Sequence, residues 1–477
     1  MNSPSSPDQS PLRSVHTHTF PRILAELGIS LVVSTYQAGK VVLLRADGDA
    51  LNTHFRLFQK PMGLAVHQGR MAIGSGCHIW DFRNVPAVAP KLEPAGRHDA
   101  CFLPRNSHIT GDIDIHEMAW GSEGLWFINT RFSCLCTQDQ DHSFVPRWRP
   151  PFVSAYAPED RCHLNGLELV DSAPKYVTAL GTTDTAGGWR ENKASGGIVM
   201  DVTSNEILAE GLSMPHSPRW YRDRLWVLES GKGTLAIVDP ATGKVQPLVE
   251  LPGFTRGIDF CGPLAFVGLS QVRESAVFSG IPLTERLTER ICGVWVVNIE
   301  TAEVIAFLKF EDAVQEIFSV QVLPGMRFPE LITAEAEHLK SSYVLPDEAL
   351  AEVVLSEAAP TAAQQQFQAA MQAYQVGEHS SAVDHYRQGL ALEPRQMTAR
   401  YRLGVILVDL GQWQAGIDEL SQVVAERTDH VEAHNSLGVA YFKLGQIELA
   451  RQHWERAIAL NPGFKVAKEN LAVLHSS

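Results

Sequence analysis

The chain has 477 residues, 45% of them hydrophobic and 20% charged, and 40 Lys and Arg against 54 Asp and Glu give a formal charge of −14 at pH 7. This is the composition of globular domains, two or three by length, and not of a disordered chain. The acidity and the lack of any Lys/Arg run argue against nucleic acid and anionic membranes as partners, and no stretch approaches the ~20 apolar residues of a membrane-spanning helix.

Residues 1–24 are rich in Ser, Pro and His, with no apolar core of the kind a secretory signal carries, and are expected to form a flexible tail. Seven Cys (Cys77, Cys101, Cys134, Cys136, Cys162, Cys261, Cys292) are odd in number and scattered, so reduced thiols and a cytoplasmic location are expected. Cys134-x-Cys136 lacks the second pair that a structural zinc site needs.

Residues 25–344 hold many short β-branched and aromatic runs, for example 31–34, 125–129, 225–229 and 293–298, separated by Gly, Asp, Asn and Pro. Short strands with regular turn signals predict an all-β domain. A template of apolar strand, short turn and second apolar strand recurs six times, from Met62, His116, Asn165, Ser217, Arg256 and Ile317. Six copies predict a six-bladed β-propeller, with strands near 31–58 completing the last blade and closing the ring. A seven-bladed ring or a sandwich is the alternative.

In such a ring the starts of the inner strands face a central channel. The residues there include His116–Glu117, His163, Asn165, His216, Arg256 and Glu316. His116, His163 and His216 are candidate ligands of a divalent metal ion, with Glu117 or Glu316 nearby. Without a metal, His116, Glu117, His216, Arg256 and Glu316 are candidate catalytic residues, with His and Glu as base and acid and Arg256 holding a carboxylate or phosphate. The plain structural alternative is that these polar groups bond neighbouring blades. Asn165, Arg256, and Trp189 and Arg190 in the Gly-rich segment TAGGWRENKASGG are candidate ligand-binding residues. Arg273 and Glu274 follow a strand in a similar way. No P-loop or nucleophile-elbow spacing occurs.

Several of these segments carry a resemblance: STYQAGK at 34–40, IHEMAWG, LNGLEL, GWRENK at 188–193, PHSPRW, LPGFTRGIDF and GLSQVRES. Through them residues 25–344 resemble an uncharacterised bacterial family of propeller-like proteins built on a domain of unknown function. The resemblance implies the architecture, sometimes with helical repeats attached, and brings no reaction with it.

Residues 345–362 are acidic, Ala-rich and contain two Pro, as a linker would. Beyond them Gly377, Gly411 and Gly445 are spaced by 34 residues. Small residues keep the same step (Ala370, Gly404, Gly438), as do large ones (Tyr386, Leu420, Trp454), and Pro394 and Pro462 close the first and third units. This period and pattern resemble the tetratricopeptide-repeat (TPR) family. Three helix pairs are expected at 363–396, 397–430 and 431–464, then a capping helix at 465–477. The resemblance implies a groove that holds a peptide or a partner's helix. No basic clamp lines one face, so an acidic tail is not the favoured guest.

The sequence therefore points to a multidomain β + α protein, a six-bladed β-propeller followed by an α-helical TPR solenoid. The expected function is protein interaction: the array recruits a partner, and the propeller channel takes a small-molecule or peptide ligand. The alternative is a propeller enzyme, a lyase, isomerase or hydrolase, metal-dependent or not, using the His/Glu/Arg channel and docked by the array.

Overall fold

The computed structural model describes residues 12–272, 279–311, 313–333, 337–346, 349 and 361–476. The chain divides into two compact units, Met1–Val344 and Leu345–Ser477.

The first unit is a six-bladed propeller. Its six sheets each have four or five strands, and their inner strands are Leu64–His67, Ile115–Gly121, Leu164–Val170, Pro215–Tyr221, Phe254–Cys261 and Ser319–Pro324. Each inner strand touches the next around the ring, and Ser319–Pro324 returns to touch Leu64–His67. We number the blades 1 to 6 by these strands.

Blade packing explains the hydrophobic pattern. The second strands are buried on both faces, because each blade is sandwiched between two others. Leu264–Ser270 and Ile29–Thr35 are buried at every position, so they read as unbroken apolar runs. Outer strands such as Val245–Glu250 have no fully buried residue.

The ring closes as expected. Blade 6 takes its inner strand from Ser319–Pro324 and its outer three from Ile29–Thr35, Lys40–Asp47 and Ala50–Leu57, with Ile29 opposite Pro324 and Ser34 opposite Ser319. Two further strands latch the ends: Ser14–His16 adds to blade 5, and Pro329–Leu331 adds in parallel to blade 1.

The expected tail at 1–24 is corrected by this arrangement. Ser14–His16 is that latch strand, and Thr19–Leu27 is a helix whose Phe20 and Leu24 are fully buried in the same core as Leu12, Leu31 and Phe310. The Ser/Pro/His-rich composition hid a short amphipathic helix with Pro21 in its first turn, where a missing N–H costs nothing. Residues 1–11 lie outside the described residues, as does most of the expected linker.

Buried hydroxyls stitch neighbouring blades at their inner ends. Thr130 Oγ1 donates to Leu164 O (2.7 Å), Ser230 Oγ to Thr255 O (2.5 Å), Ser270 Oγ to Ile317 O (2.8 Å) and Ser34 Oγ to Met62 O. Each hydroxyl sits at or near the end of one blade's second strand, and each acceptor lies at, or within two residues of, the start of the next inner strand.

The second unit contains three helix pairs and a final helix: Ala362–Gln375 with His379–Leu392, Met397–Asp409 with Trp413–Glu426, Val431–Lys443 with Ile447–Leu460, then Lys465–Ser476. Gly377, Gly411 and Gly445 take φ of +83°, +74° and +74° just past the first helix of each pair. The next residue's N–H then reaches back to close the helix end, as in Gln412 N to Leu407 O at 2.9 Å. The small-residue column lets the large one in: a Cβ on Gly438 would lie 2.4 Å from Trp454 Nε1, and one on Gly404 2.6 Å from Leu420 Cγ. Thr361 caps the first helix with a reciprocal box to Gln364. Among the described residues no helix is long and apolar enough to cross a membrane.

Candidate functional site

The inner strands cross the channel from one mouth to the other. Residues near their starts, His116, His216 and Arg256, line a cavity of about 320 Å3 at one mouth, together with Tyr36, Gln37, Asp114, His163, Trp189, Arg190, Glu316 and Phe318. Their later residues, such as Trp120, Arg219 and Asp259, line another cavity of about 360 Å3.

Hydrogen-bond accounting fixes the imidazole tautomers. Thr130 Oγ1 has one proton, and Leu164 O takes it. The hydroxyl is 2.7 Å from His116 Nδ1, so Nδ1–H must be the donor there, and Asp114 O accepts the same proton at 3.1 Å. His216 repeats the device. Ser230 Oγ gives its proton to Thr255 O, so His216 Nδ1–H donates to Ser230 Oγ (2.9 Å) and Met214 O (3.0 Å). In both cases the hydroxyl follows the histidine by 14 residues. His163 Nδ1 faces a carboxylate instead, Asp160 Oδ1 at 2.9 Å and Oδ2 at 3.1 Å. Each ring thus has its Nδ1 side engaged by the protein, which leaves the Nε2 edge as the acceptor side.

Backbone strain holds these carbonyls in place. Asp114 and Met214, each two residues before its histidine, have φ of 51° and 47°, and Asp160 and His163 have 50° and 51°. Left-handed non-glycine residues cost about 1–2 kcal/mol each, and here they set the positions of Asp114 O, Met214 O and the Asp160–His163 pair.

Burial is the first cause that holds His116 well below its usual pKa, followed by His163, Arg256 and His216; burial and then Arg256 do the same for His216. Both rings are therefore neutral at physiological pH. Arg256 is lowered to about 10 by burial, partly offset by the charge of Glu316, so it stays cationic. Its guanidinium lies 3.8 Å from the Phe318 ring centroid, and among the described residues its buried Nε has no hydrogen-bond partner. Asp114 is answered by Lys60 (2.9 Å) and Arg131 (3.4 Å).

Of the residues expected from the sequence, His116, His163, His216, Arg256, Glu316, Trp189 and Arg190 meet at this cavity. Trp189 is not on an open loop. It is buried in a short 3-10 helix, with Nε1 donating to Asp160 Oδ2 (2.9 Å) and its ring 4.5 Å from His163. Glu117 and Asn165 do not belong to the site. Glu117 accepts from Leu167 N (2.6 Å) and Arg219 Nη2 (2.9 Å), whereas Asn165 donates to Pro215 O (3.1 Å) and accepts from Thr178 (2.6 Å). Both bond neighbouring blades, the structural alternative. Arg273 and Glu274 lie outside the described residues.

The metal reading of the three histidines also finds no support. Among the described residues no group of three or more His, Cys, Asp or Glu is arranged to hold a metal ion. The His116 and His163 rings meet edge to face at 4.8 Å and 82°, and the fixed charge of Arg256 shares their cavity and repels a cation. Cys134 and Cys136 are buried free thiols, 3.5 Å apart.

Sequence reasoning missed Asp160, Tyr36 and Phe318, and the paired hydroxyls Thr130 and Ser230. The equal His-to-hydroxyl spacing is a repeat signal that would have found the last two.

Comparisons with known proteins agree with the architecture. TPR family models match residues 367–420 and 431–464. Among solved structures, the array is similar to "Crystal structure of MamA" (23% identity, 25% of this chain and 70% of that one, TM-score 0.24). It is similar too to MamA from Desulfovibrio magneticus RS-1 (24% identity, 24% and 64%, TM-score 0.24) and to the Arabidopsis OM64 TPR domain (20% identity, 24% and 97%, TM-score 0.24). A comparison with curated proteins finds no match. Residues 18–332, more than half of the chain, match the family model described as a domain of unknown function (DUF4915), and the protein belongs to that family.

Proposed function

We propose that the propeller binds a small anionic ligand with hydroxyl or amine donors at the His/Arg mouth, while the TPR array docks a peptide or partner protein. The observation that carries the first half is Arg256: a cationic guanidinium stacked on Phe318 with an unpaired Nε, inside a cavity of ligand size. Ligand pockets run from about 300 Å3 upward. A carboxylate or phosphate matches the guanidinium fork, and the Nε2 edges of the imidazoles match a neighbouring O–H or N–H. The apolar walls from Met62, Phe254 and Phe318 suit a compact carbon skeleton.

Support for the second half is the architecture itself and an apolar hollow of about 220 Å3 lined by Met371, Tyr374, Tyr401 and Val405 between the first helices of repeats one and two. Aromatic and apolar anchors of this kind suit a peptide side chain.

Calorimetric titration of the full chain with acetate, glycolate and inorganic phosphate tests the cavity. Binding of at least one anion, with glycolate above acetate and loss in Arg256→Met, supports the reading. Silence from all three, or binding unchanged by Arg256→Met, contradicts it. For the array, a co-purifying partner lost from a Tyr374→Ala, Tyr401→Ala chain and kept by Arg256→Met supports docking there; the reverse pattern contradicts it.

A further inference from the structure

We infer that His163 is a general base in the propeller cavity, removing a proton from the bound anion; this rests on the anion-binding reading above. The three imidazoles are not equivalent. His116 and His216 lean on a carbonyl and a hydroxyl, both uncharged. His163 leans on the Asp160 carboxylate through both oxygens. An imidazole that takes a proton becomes a cation, and a carboxylate behind Nδ1 stabilises that cation while neutral acceptors do so much less. Burial further holds His116 and His216 to their neutral forms.

The dyad is also held rigid. Asp160 accepts from Trp189 Nε1 (2.9 Å), lies 3.4 Å from Arg190 Nη2, and its own N–H bonds Arg131 O (2.9 Å). The His163 ring is packed between Trp189, at 4.5 Å, and His116, at 4.8 Å. The left-handed backbone at both Asp160 and His163 bends the chain so that residues three apart face each other.

In the step, His163 Nε2 takes a proton from the α-carbon of the ligand. The C–H bonding pair stays on the ligand as an enolate, and Arg256 offsets its negative charge. Asp160 offsets the imidazolium. Return of the same proton to another face or atom of the ligand restores His163, so the step balances without a co-reactant. The class of reaction is isomerisation or epimerisation of a small 2-hydroxy or 2-amino acid.

Alkylation of the full chain with bromoacetate, against neutral bromoacetamide, tests this without knowledge of the ligand. Attack by Nε2 on the methylene carbon forms an N–C bond and expels bromide, and peptide mass mapping locates the adduct apart from any on cysteine. His163 is expected to be the histidine modified, about tenfold faster by bromoacetate, an advantage lost in Arg256→Met and reduced in Arg256→Lys. Asp160→Asn is expected to slow both reagents at His163 by about tenfold or more. Modification of His116 or His216 instead, still dependent on Arg256, overturns the inference and leaves the anion site standing. Equal rates for the two reagents, or indifference to both Arg256 substitutions, overturn the two together.

Discussion

Thr130→Val removes one hydroxyl and almost no volume from the wall between blades 2 and 3. Thr130 is 1% exposed, and its hydroxyl donates to Leu164 O at 2.7 Å and accepts from His116 Nδ1 at 2.7 Å. Two buried hydrogen bonds contribute about 0.5–1.5 kcal/mol each, and a carbonyl left without its partner adds about 1–3 kcal/mol. His116 keeps Asp114 O, so the lower half of that range applies, about 2–4 kcal/mol in all. With the unfolding entropy of a domain of this size, the propeller should melt about 3–6 °C lower. Scanning calorimetry of the full chain measures this, with the array transition as internal reference. The control is Thr242→Val, which removes an exposed hydroxyl bonded to Asp239 in a surface turn and should cost under about 0.5 kcal/mol. If Thr130→Val costs no more than Thr242→Val, the hydroxyl does not hold the blades or the histidine as described.

Arg256→Met should abolish anion binding yet leave the unliganded propeller melting no lower than wild type, because it removes a charge whose Nε is unpaired; a large drop in Tm would mean the guanidinium is structural. Gly438→Ala places a methyl 2.4 Å from Trp454 Nε1 and should lower array stability by about 1–3 kcal/mol without moving the propeller transition in calorimetry. In the same repeat His434 Nδ1 lies 3.0 Å from His453 Nδ1, and burial, then His434, lowers His453 to about 4. The unfolded ring, at about 6.5, binds its proton first as pH falls, so array stability is complete above about 6.5 and declines toward pH 4. The loss, discounted for partial exposure, is about 1–2 kcal/mol. Urea titrations from pH 7 to about 4.5 should show this slope, and His453→Gln should flatten it.

The array was legible in the sequence because each repeat obeys local rules. Gly377, Gly411 and Gly445 need a left-handed backbone, and Gly438 needs to admit Trp454; both requirements recur at one fixed step. The propeller was legible as a count of inner strands, since burial on both faces imposes apolar runs. It was less legible at its margins, where Thr19–Leu27 owes its burial to distant partners such as Phe310 and not to its own composition. The cavity was half legible. Repeat position placed His116, His216 and Arg256 at one mouth, but neighbours on the same strand point elsewhere. Glu117, one residue on, turns its side chain to Arg219. His163 lies two residues ahead of the axial Asn165 and reaches the cavity only through the bend at Asp160. Such turns are set by backbone angles that composition does not encode.

The most direct test of the site is its histidine tautomers. Long-range proton–nitrogen NMR correlation of the full chain with 15N-labelled histidine at pH 7, assigned with His116→Gln, His163→Gln and His216→Gln, reads which ring nitrogen holds the proton. Nδ1 is expected to carry it in all three, with a bare Nε2 in His116 and His216. A proton on Nε2 of His116 or His216, as the other tautomer or as imidazolium, would contradict the acceptor-lined anion site on which the proposed function rests.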